Sequence, residues 1–170
     1  PLSRRCHLLL SILCICSSIS SIKRTVGSSQ LGSMGVERRF DIHLNTPKCS
    51  YIDDYAHHPN EISAAVSSIR DIFPGRRLCA IFQPHLYTRT RDFYREFARS
   101  LSALDELILL PIYPARELPI EGVNSEMILD LVTIPEKKLV AKEDLLDEIN
   151  RRDIDILITL GAGDINTFID

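Results

Sequence analysis

Short apolar runs alternate with segments of helical periodicity from residue 49 to the end of the chain. Nearly unbroken apolar strands suit a parallel sheet that is covered on both faces. The repeated alternation predicts an α/β fold, namely a Rossmann-like, doubly wound, mostly parallel sheet with helices on both faces. The strands are predicted at residues 49–52, 78–82, 107–112, 138–140 and 154–160.

Helices are predicted in the segments between these strands. The first begins at Pro59 and ends before Pro74. The second is expected to start at Asp92 as its cap, which leaves residues 83–91 as a loop. A short helix is predicted at 124–131, and another at 142–152 with Leu145, Leu146 and Ile149 turned inward. A last helix starts after residue 164, and we expect the end of the chain to truncate it.

The chain of 170 residues is long enough for about one domain, but its charge is uneven. Residues 1–39 hold six basic residues and one acid, whereas residues 40–170 hold fourteen basic and twenty-two acidic residues. We therefore divide the chain into an irregular front segment with a linker, residues 1–35, and a domain, residues 36–170. The front segment has three interpretations: the broken end of a preceding domain, a secretory signal, or sequence from a wrong reading frame. A broken or misread end is favoured, because no A-x-A cleavage site follows the apolar run.

Charge and cysteine usage exclude several classes of protein. A net charge of −3 disfavours a dedicated nucleic-acid binder. The apolar run near the amino terminus is too short for a membrane span, which needs about twenty residues. The five cysteines form no C-x-x-C pair, which indicates free thiols in a reducing compartment and predicts a cytoplasmic location.

Unusual polar residues follow the predicted strands. DDYAHHP (53–59) follows the first strand, QPHLYTRTR (83–91) the second, and GAGD (161–164) the last. Ligands of such sheets bind beyond the carboxyl ends of the strands. Residues 76–99 also hold six arginines against two acids. The pattern therefore predicts a site for an anionic ligand at this edge of the sheet.

Each motif also has a structural interpretation. The two aspartates could form only a turn, and His57 with His58 could bind a metal, although adjacent side chains diverge. The glycine pair at 161–163 is a weak signal that lets backbone N–H groups approach an anion. Arg91, Arg95 and Arg99 share helical spacing and suit a solvated face, whereas Arg89 precedes the predicted helix and is the better ligand candidate.

Together the strings resemble the carboxy-terminal domain of the Mur ligases. RRFD (38–41), DDYAHHP, FQPH (82–85), YTRT (87–90), YPARE (113–117), PI (119–120), GV (122–123) and LGAGDI (160–165) carry the likeness, which covers about residues 35–170. The run at 83–89 is more like the alanine-adding branch of the family than the sister branch that adds a tripeptide.

The resemblance implies an ATP-dependent amide ligase of peptidoglycan precursor synthesis. Its substrates would be UDP-N-acetylmuramate, L-alanine and ATP, and the bond would form through an acyl phosphate. Arg39 and Asp53 would contact the nucleotide. Tyr55, His57, His85 and Arg89 would bind the substrate, and His57, His85 and Arg89 would take part in catalysis. ATP and Mg²⁺ would be bound mainly by a central domain, with no metal ligand in this domain.

Two departures from the family pattern affect these expectations. Leu86 stands where the family usually has a basic residue. No G-x-x-G-K-T phosphate loop occurs in the sequence, so we expect a carboxy-terminal fragment that is inactive alone. Two other functions remain open: a non-catalytic remnant that binds a nucleotide or anion, and a metal-dependent hydrolase that uses Asp53, His57, His58 and His85.

Overall fold

A computed structural model describes residues 39–165, in which six strands form one sheet. The order across the sheet is β1-β2-β6-β3-β4-β5, and only β1 is antiparallel to its neighbour. The predicted α/β, mostly parallel sheet is therefore confirmed. The strands are β1 (Asp41–Asn45), β2 (Ser50–Asp54), β3 (Leu78–Phe82), β4 (Glu106–Leu109), β5 (Glu136–Leu139) and β6 (Ile156–Leu160).

Helices cover both faces of the sheet, as predicted. One core packs α1, α2 and α3 on one face through Ile62, Phe97 and Ile128, and a second core packs α4 on the other face through Leu145. No helix within residues 39–165 is both long enough and apolar enough to cross a membrane. The helices are α1 (Pro59–Ile72), α2 (Tyr87–Leu101), α3 (Glu126–Leu129) and α4 (Leu145–Asn150), and a 3₁₀ turn (Lys142–Asp144) precedes α4.

Helix α1 has the limits that its sequence predicts. Pro59 occupies the first turn, where a missing N–H costs nothing. The His58 ring accepts the Asn60 N–H at 3.4 Å, and the Glu61 carboxylate accepts the His58 N–H at 3.1 Å. This arrangement is a capping box, in which two otherwise unpaired N–H groups are satisfied. The four residues from His58 to Glu61 therefore contain the signals that set the start of α1.

The prediction that Asp92 caps the second helix is wrong. Helix α2 begins at Tyr87, and Asp92 lies exposed inside it beside Arg91. The preceding residue, Leu86, is apolar and offers no side-chain cap. The cap comes from Glu117, whose carboxylate accepts the Thr88 N–H at 3.0 Å. Because Glu117 is far away in sequence, no local pattern marks the start of α2.

Strand β1 and the inward face of α4 also differ from prediction. Strand β1 is not predicted from the sequence, because it is a short edge strand whose residues are mostly exposed and show no apolar run. Leu146, predicted to face inward, is 55% exposed. The 3₁₀ turn before α4 has about three residues per turn, and this shifts the helical phase on which the prediction relied. The predicted front segment, and most of the predicted last helix, lie outside the described residues.

A network of ion pairs lies at the amino end of the sheet. Arg152 donates to Glu106 at 2.9 Å and to Glu148 at 2.7 Å, and Arg77 also donates to Glu106. Lys138 completes the network by donating to Glu148 at 2.6 Å. Both carboxylates are buried, yet each accepts bonds from two cations. Both buried carboxylates are therefore paired with cations within the network.

Candidate functional site

The carboxyl ends of β2, β3 and β6 and the segment after β4 meet at one edge of the sheet. The Gly161 N–H donates to the Asp54 carbonyl oxygen at 3.3 Å, which joins the ends of β6 and β2. The Leu86 N–H donates to the Tyr113 carbonyl oxygen at 2.9 Å, which joins the segments after β3 and β4. The structure therefore brings together the polar strings that the sequence places after separate strands.

An open cleft of about 470 Å³ lies beside the end of β2. Arg39, Phe40, Asp54 and Tyr55 line it together with one face of α1. Its volume falls within the roughly 300–1,000 Å³ of small-molecule sites. Burial raises the pKa of the Asp54 carboxyl, and hydrogen bonds from the Ala56 and Phe40 amides, at 2.7 and 2.9 Å, oppose that shift. The cleft thus presents an oriented carboxylate beside an arginine.

The two aspartates at the end of β2 occupy different environments. Asp53, the predicted nucleotide contact, is 1% exposed and accepts the Thr159 hydroxyl at 2.5 Å. Asp54 faces the cleft. The resemblance implies a nucleotide contact for Asp53, the first aspartate of the pair. Side chains of successive strand residues point to opposite faces, so only one of the two aspartates can line a given cleft. Asp54 is therefore the better placed of the two to contact a ligand in this cleft.

His57 and His58 point to different neighbours. The His57 Nδ1 lies 2.9 Å from the Tyr55 carbonyl oxygen and 3.5 Å from the Glu61 carboxylate. Since both neighbours are acceptors, the proton of a neutral ring belongs on Nδ1, and Nε2 carries the lone pair. The His58 ring caps α1 and packs edge-on against Phe93 at 5.0 Å. The His57 ring is thus fixed through Nδ1, whereas the His58 ring caps α1.

His85 and Arg89 form the second half of the site. The His85 ring stacks on Tyr113 with 5.6 Å between centroids, and Arg89 lies in the first turn of α2. In the described part of the chain, the His85 Nδ1 and the Arg89 Nη1 are buried without a hydrogen-bond partner. Buried polar atoms are almost always satisfied in a finished structure. Two buried nitrogens without partners at this edge of the sheet therefore mark a candidate position for a ligand.

Burial lowers the pKa of His85, and the charges of Arg89 and His57 lower it further. Glu117 opposes these effects. These mutual influences place His57, His85 and Arg89 in one electrostatic cluster, although the two histidines follow different strands. At neutral pH the His85 ring is uncharged and Arg89 supplies the positive charge.

The glycines after β6 allow a close approach to β3. Gly161 has φ +144°, and a Cβ there would lie 2.9 Å from the Gln83 carbonyl oxygen. The Gln83 side chain is fully buried next to Gly163. Burial raises the pKa of Asp164, but the hydrogen bond and the charge of Lys142, whose Nζ donates to the carboxylate at 2.5 Å, outweigh this effect and lower it. The glycines therefore serve packing between strand ends, a role that sequence reasoning did not assign.

A metal centre finds no support in residues 39–165, where no group of three or more histidine, cysteine or acidic side chains could hold an ion. The divergence of His57 and His58 is the geometric reason. A metal-dependent hydrolase that uses these residues therefore has no structural basis in the described region.

A family model described as the Mur ligase glutamate ligase domain matches residues 38–163. The chain belongs to the Mur ligase family.

The relatives it resembles include ligases that join alanine to UDP-N-acetylmuramate. The UDP-N-acetylmuramate–L-alanine ligase of Cytophaga hutchinsonii is 51% identical over 152 residues, which are 89% of this chain and 32% of that protein. The same enzyme of Porphyromonas gingivalis strain W83 is 56% identical over 136 residues, 79% of this chain and 30% of that protein. The chain thus spans about a third of the length of these curated relatives.

A solved structure shows the same architecture. The UDP-N-acetylmuramate–alanine ligase of Thermotoga maritima superposes with a TM-score of 0.64 and 26% identity, over 96% of this chain and 36% of that one. The fold and family expected from the sequence are therefore confirmed.

Several residues of this Mur ligase domain escaped sequence reasoning. Asp54 lies within the DDYAHHP string and Glu61 follows it by two residues, but the sequence does not reveal which side chains face the cleft. Tyr113 and Glu117 lie in the segment after β4, and their contacts with His85 and Thr88 come from tertiary structure alone. The YPARE string at 113–117 marks this segment in the sequence, but it assigns no role to Tyr113 or Glu117.

Proposed function

We propose that residues 36–170 are the carboxy-terminal domain of an ATP-dependent ligase that joins L-alanine to UDP-N-acetylmuramate in the cytoplasm. One observation carries this proposal: His85 and Arg89, which lie at the carboxyl edge of the sheet within electrostatic reach of each other, each have a buried nitrogen without a partner in the described region. Identity of 51–56% to ligases of this specificity supports the choice of substrates.

The nucleotide is assigned to the cleft beside β2. Arg39 can attract phosphate oxygens, and the oriented Asp54 carboxylate can accept ribose hydroxyls. Asp53, the residue expected from the resemblance, supports this position indirectly, because its bond to Thr159 holds the end of β2 against β6. ATP supplies the phosphoryl group that activates the lactyl carboxylate, and Mg²⁺ is assigned to the central domain that the family resemblance implies.

The anionic end of the substrate is assigned to His85 and Arg89. A neutral imidazole and a guanidinium next to each other can donate hydrogen bonds to the oxygens of a carboxylate or phosphate. Such donors stabilise charge best when they are fixed before the ligand arrives. The Tyr113 stack and the position of Arg89 in the first turn of α2 provide that rigidity.

His57 is assigned the proton that the amine of L-alanine loses as the amide forms. With Nδ1 directed at the Tyr55 carbonyl oxygen, Nε2 is the basic nitrogen. The Glu61 carboxylate, 3.5 Å from Nδ1, balances the charge of the protonated ring. The Tyr55 ring meets the His57 ring edge-on at 5.2 Å and restricts its rotation.

A chimeric enzyme tests the proposal. Residues 36–170 replace the matching region of the Porphyromonas gingivalis ligase, and formation of UDP-N-acetylmuramoyl-L-alanine is measured by chromatography. We expect product with L-alanine and none with a tripeptide in its place, and the same chimera carrying Arg89→Gln serves as the matched negative control. A folded chimera without activity would support a non-catalytic remnant, and activity only with the tripeptide would support the sister specificity.

A further inference from the structure

The start of helix α2 is tied to the loop after β4 through one carboxylate. One Glu117 oxygen accepts the Thr88 N–H at 3.0 Å, and the other accepts the Thr88 hydroxyl. Helix starts ordinarily obtain such bonds from a polar residue immediately before the first turn. Leu86 cannot provide them, so Glu117 supplies the cap from another segment.

The same loop is joined to the chain just before α2. The Tyr113 N–H donates to the Pro84 carbonyl oxygen at 2.8 Å, and the Leu86 N–H donates back to the Tyr113 carbonyl oxygen at 2.9 Å. His85 lies between these two bonds and stacks on Tyr113. Leu86 has φ +73°, a conformation that L-residues seldom adopt and that surrounding contacts must hold in place.

A turn in the loop after β4 brings Glu117 back toward the start of α2. The Glu117 N–H donates to the Pro114 carbonyl oxygen at 2.9 Å, which closes a turn. Ala115, inside that turn, has φ +51°. A second strained residue in the same contact region indicates that the position of Glu117 is specified, because strain persists only where neighbouring structure compensates for it.

We propose that Glu117 is a positioning residue of this site: by binding Thr88, its carboxylate fixes the first turn of α2 and so orients Arg89 and His85 toward the anionic group of the substrate. This inference rests on the proposed function. Glu117 is not itself a ligand for that group, because two anions repel each other. Arg89 is the next residue after Thr88, so any rotation of the first turn moves its guanidinium directly.

Glu117 also influences His85 electrostatically. Burial, Arg89 and His57 lower the pKa of His85, and the Glu117 carboxylate raises it. These are the charged groups that act on the ring from α2, from the segment after β2 and from the loop after β4. The pKa of His85 therefore reports whether the Glu117 carboxylate is held in place.

The first experiment titrates the His85 ring by NMR in the 170-residue chain. Thr88→Val removes the hydroxyl donor without changing any charge and leaves only the N–H bond, so it should loosen the Glu117 carboxylate and lower the pKa of His85. Thr88→Ser retains the hydroxyl and should leave the pKa as in the wild type. Glu117→Gln should lower it, whereas Glu121→Gln, an exposed acid of the same loop, should not. An unchanged pKa in both Thr88→Val and Glu117→Gln would overturn the inference.

The second experiment measures kcat/KM of the chimeric ligase with the same variants. Misplacement of a substrate-binding group by about 1 Å can cost up to about a hundredfold in rate, so Thr88→Val and Glu117→Gln should each lose about tenfold or more. Thr88→Ser should restore activity at a temperature where all variants are folded. Wild-type activity in the two disrupting variants would refute the positioning role and leave the proposed function intact. An inactive parent chimera would instead refute the proposed function, while the titration still decides the role of Glu117.

Discussion

The two ends of the sheet differ in whether their buried polar groups have bonding partners. At the amino end, Glu106 and Glu148 are buried and each accepts bonds from two cations. At the carboxyl end, nitrogens of His85 and Arg89 are buried without a hydrogen-bond partner in the described residues. A buried polar atom without a partner costs roughly 1–3 kcal/mol, so the carboxyl end retains a cost that the amino end has removed.

This difference indicates that the amino end of the sheet contributes to stability and the carboxyl end to ligand binding. A network such as the one around Glu106 already pairs its own charged groups, so none of them needs a ligand, and it stabilises the fold only while it is complete. The cluster around Arg89 stabilises little by itself, but it can bond to an anion without first breaking internal bonds. Substitutions at the amino end should therefore change the free energy of unfolding, and substitutions at the carboxyl end should change ligand binding and catalysis.

The largest effect on stability is expected for Glu106→Leu. It leaves Arg152, whose side chain is 12% exposed, with Glu148 alone, and it removes the partner of the exposed Arg77. Removal of one partner from a buried ion pair typically costs about 3–5 kcal/mol, and we expect a loss in that range. Urea denaturation of the 170-residue chain measures it.

The control is Glu121→Gln, an exposed acid for which a change within about 0.5 kcal/mol is expected. If Glu106→Leu were as stable as the wild type, the amino-end network would contribute nothing and the comparison between the two ends would fail.

The next effect is on catalysis, at Arg89. Lysine keeps the charge but loses the planar fork that grips two oxygens at once. In the chimeric ligase, Arg89→Lys should lose transition-state stabilisation of about 2–4 kcal/mol in kcat/KM, comparable to removal of one oxyanion donor. The fold should survive, because lysine is a good helix former and Arg89 lies in the first turn of α2.

Arg99, exposed on the same helix, provides the matched control. Arg99→Lys should be nearly silent, within about half a kcal/mol in both kcat/KM and stability. Equal losses at the two positions, or a loss at Arg89 that follows unfolding, would mean that the cluster at the carboxyl end is structural.

A smaller effect is expected at Gly161, where the strand ends pack closely. In Gly161→Ala the new Cβ would meet the Gln83 backbone at 2.9 Å, and φ +144° is strained for alanine. We expect a destabilisation of about 1–3 kcal/mol. Gly122→Ala is the control for a positive φ without a contact, because its φ is +75° and nothing lies within 4 Å, and it should lose less stability. Equal losses in thermal denaturation would show that the contact with Gln83 has no cost of its own.

The sequence predicted those features that local patterns encode. The apolar runs located β3 and β6, and Pro59 with Glu61 located α1, because strand burial and helix capping depend on neighbouring residues. The start of α2 was not predictable, since its cap is supplied by Glu117 from another segment. The short, exposed β1 was missed for a related reason, because its pairing with β2 leaves no apolar signal.

The candidate site shows the same difference between features that local sequence encodes and features that depend on tertiary structure. The strings that carry His57, His85 and Arg89 were recognisable because each follows a strand, and the topology then brings them together. Which aspartate faces the cleft was decided by the side-chain direction at the end of β2, which requires the strand register. Asp54 in the cleft and Asp53 bonded to Thr159 could not be told apart by residue type.

The smallest predicted effect concerns the pH dependence of stability. Burial and Arg89 lower the pKa of His85 below its ordinary value of 6.5 in the folded state. As pH falls through 6.5, the unfolded chain therefore binds a proton that folded His85 resists, and the stability contributed at higher pH is lost. Arg89→Gln removes a positive charge and should raise the pKa of His85. The variant should thus lose less unfolding free energy than the wild type between pH 7.5 and 5.5, whereas Arg99→Gln should match the wild type, since Arg99 does not act on His85. Urea denaturation at each pH, with NMR titration of the His85 ring, measures both quantities. The same pH dependence in Arg89→Gln and the wild type would show that Arg89 and His85 are not coupled, and the cluster at the carboxyl end would then be two separate groups.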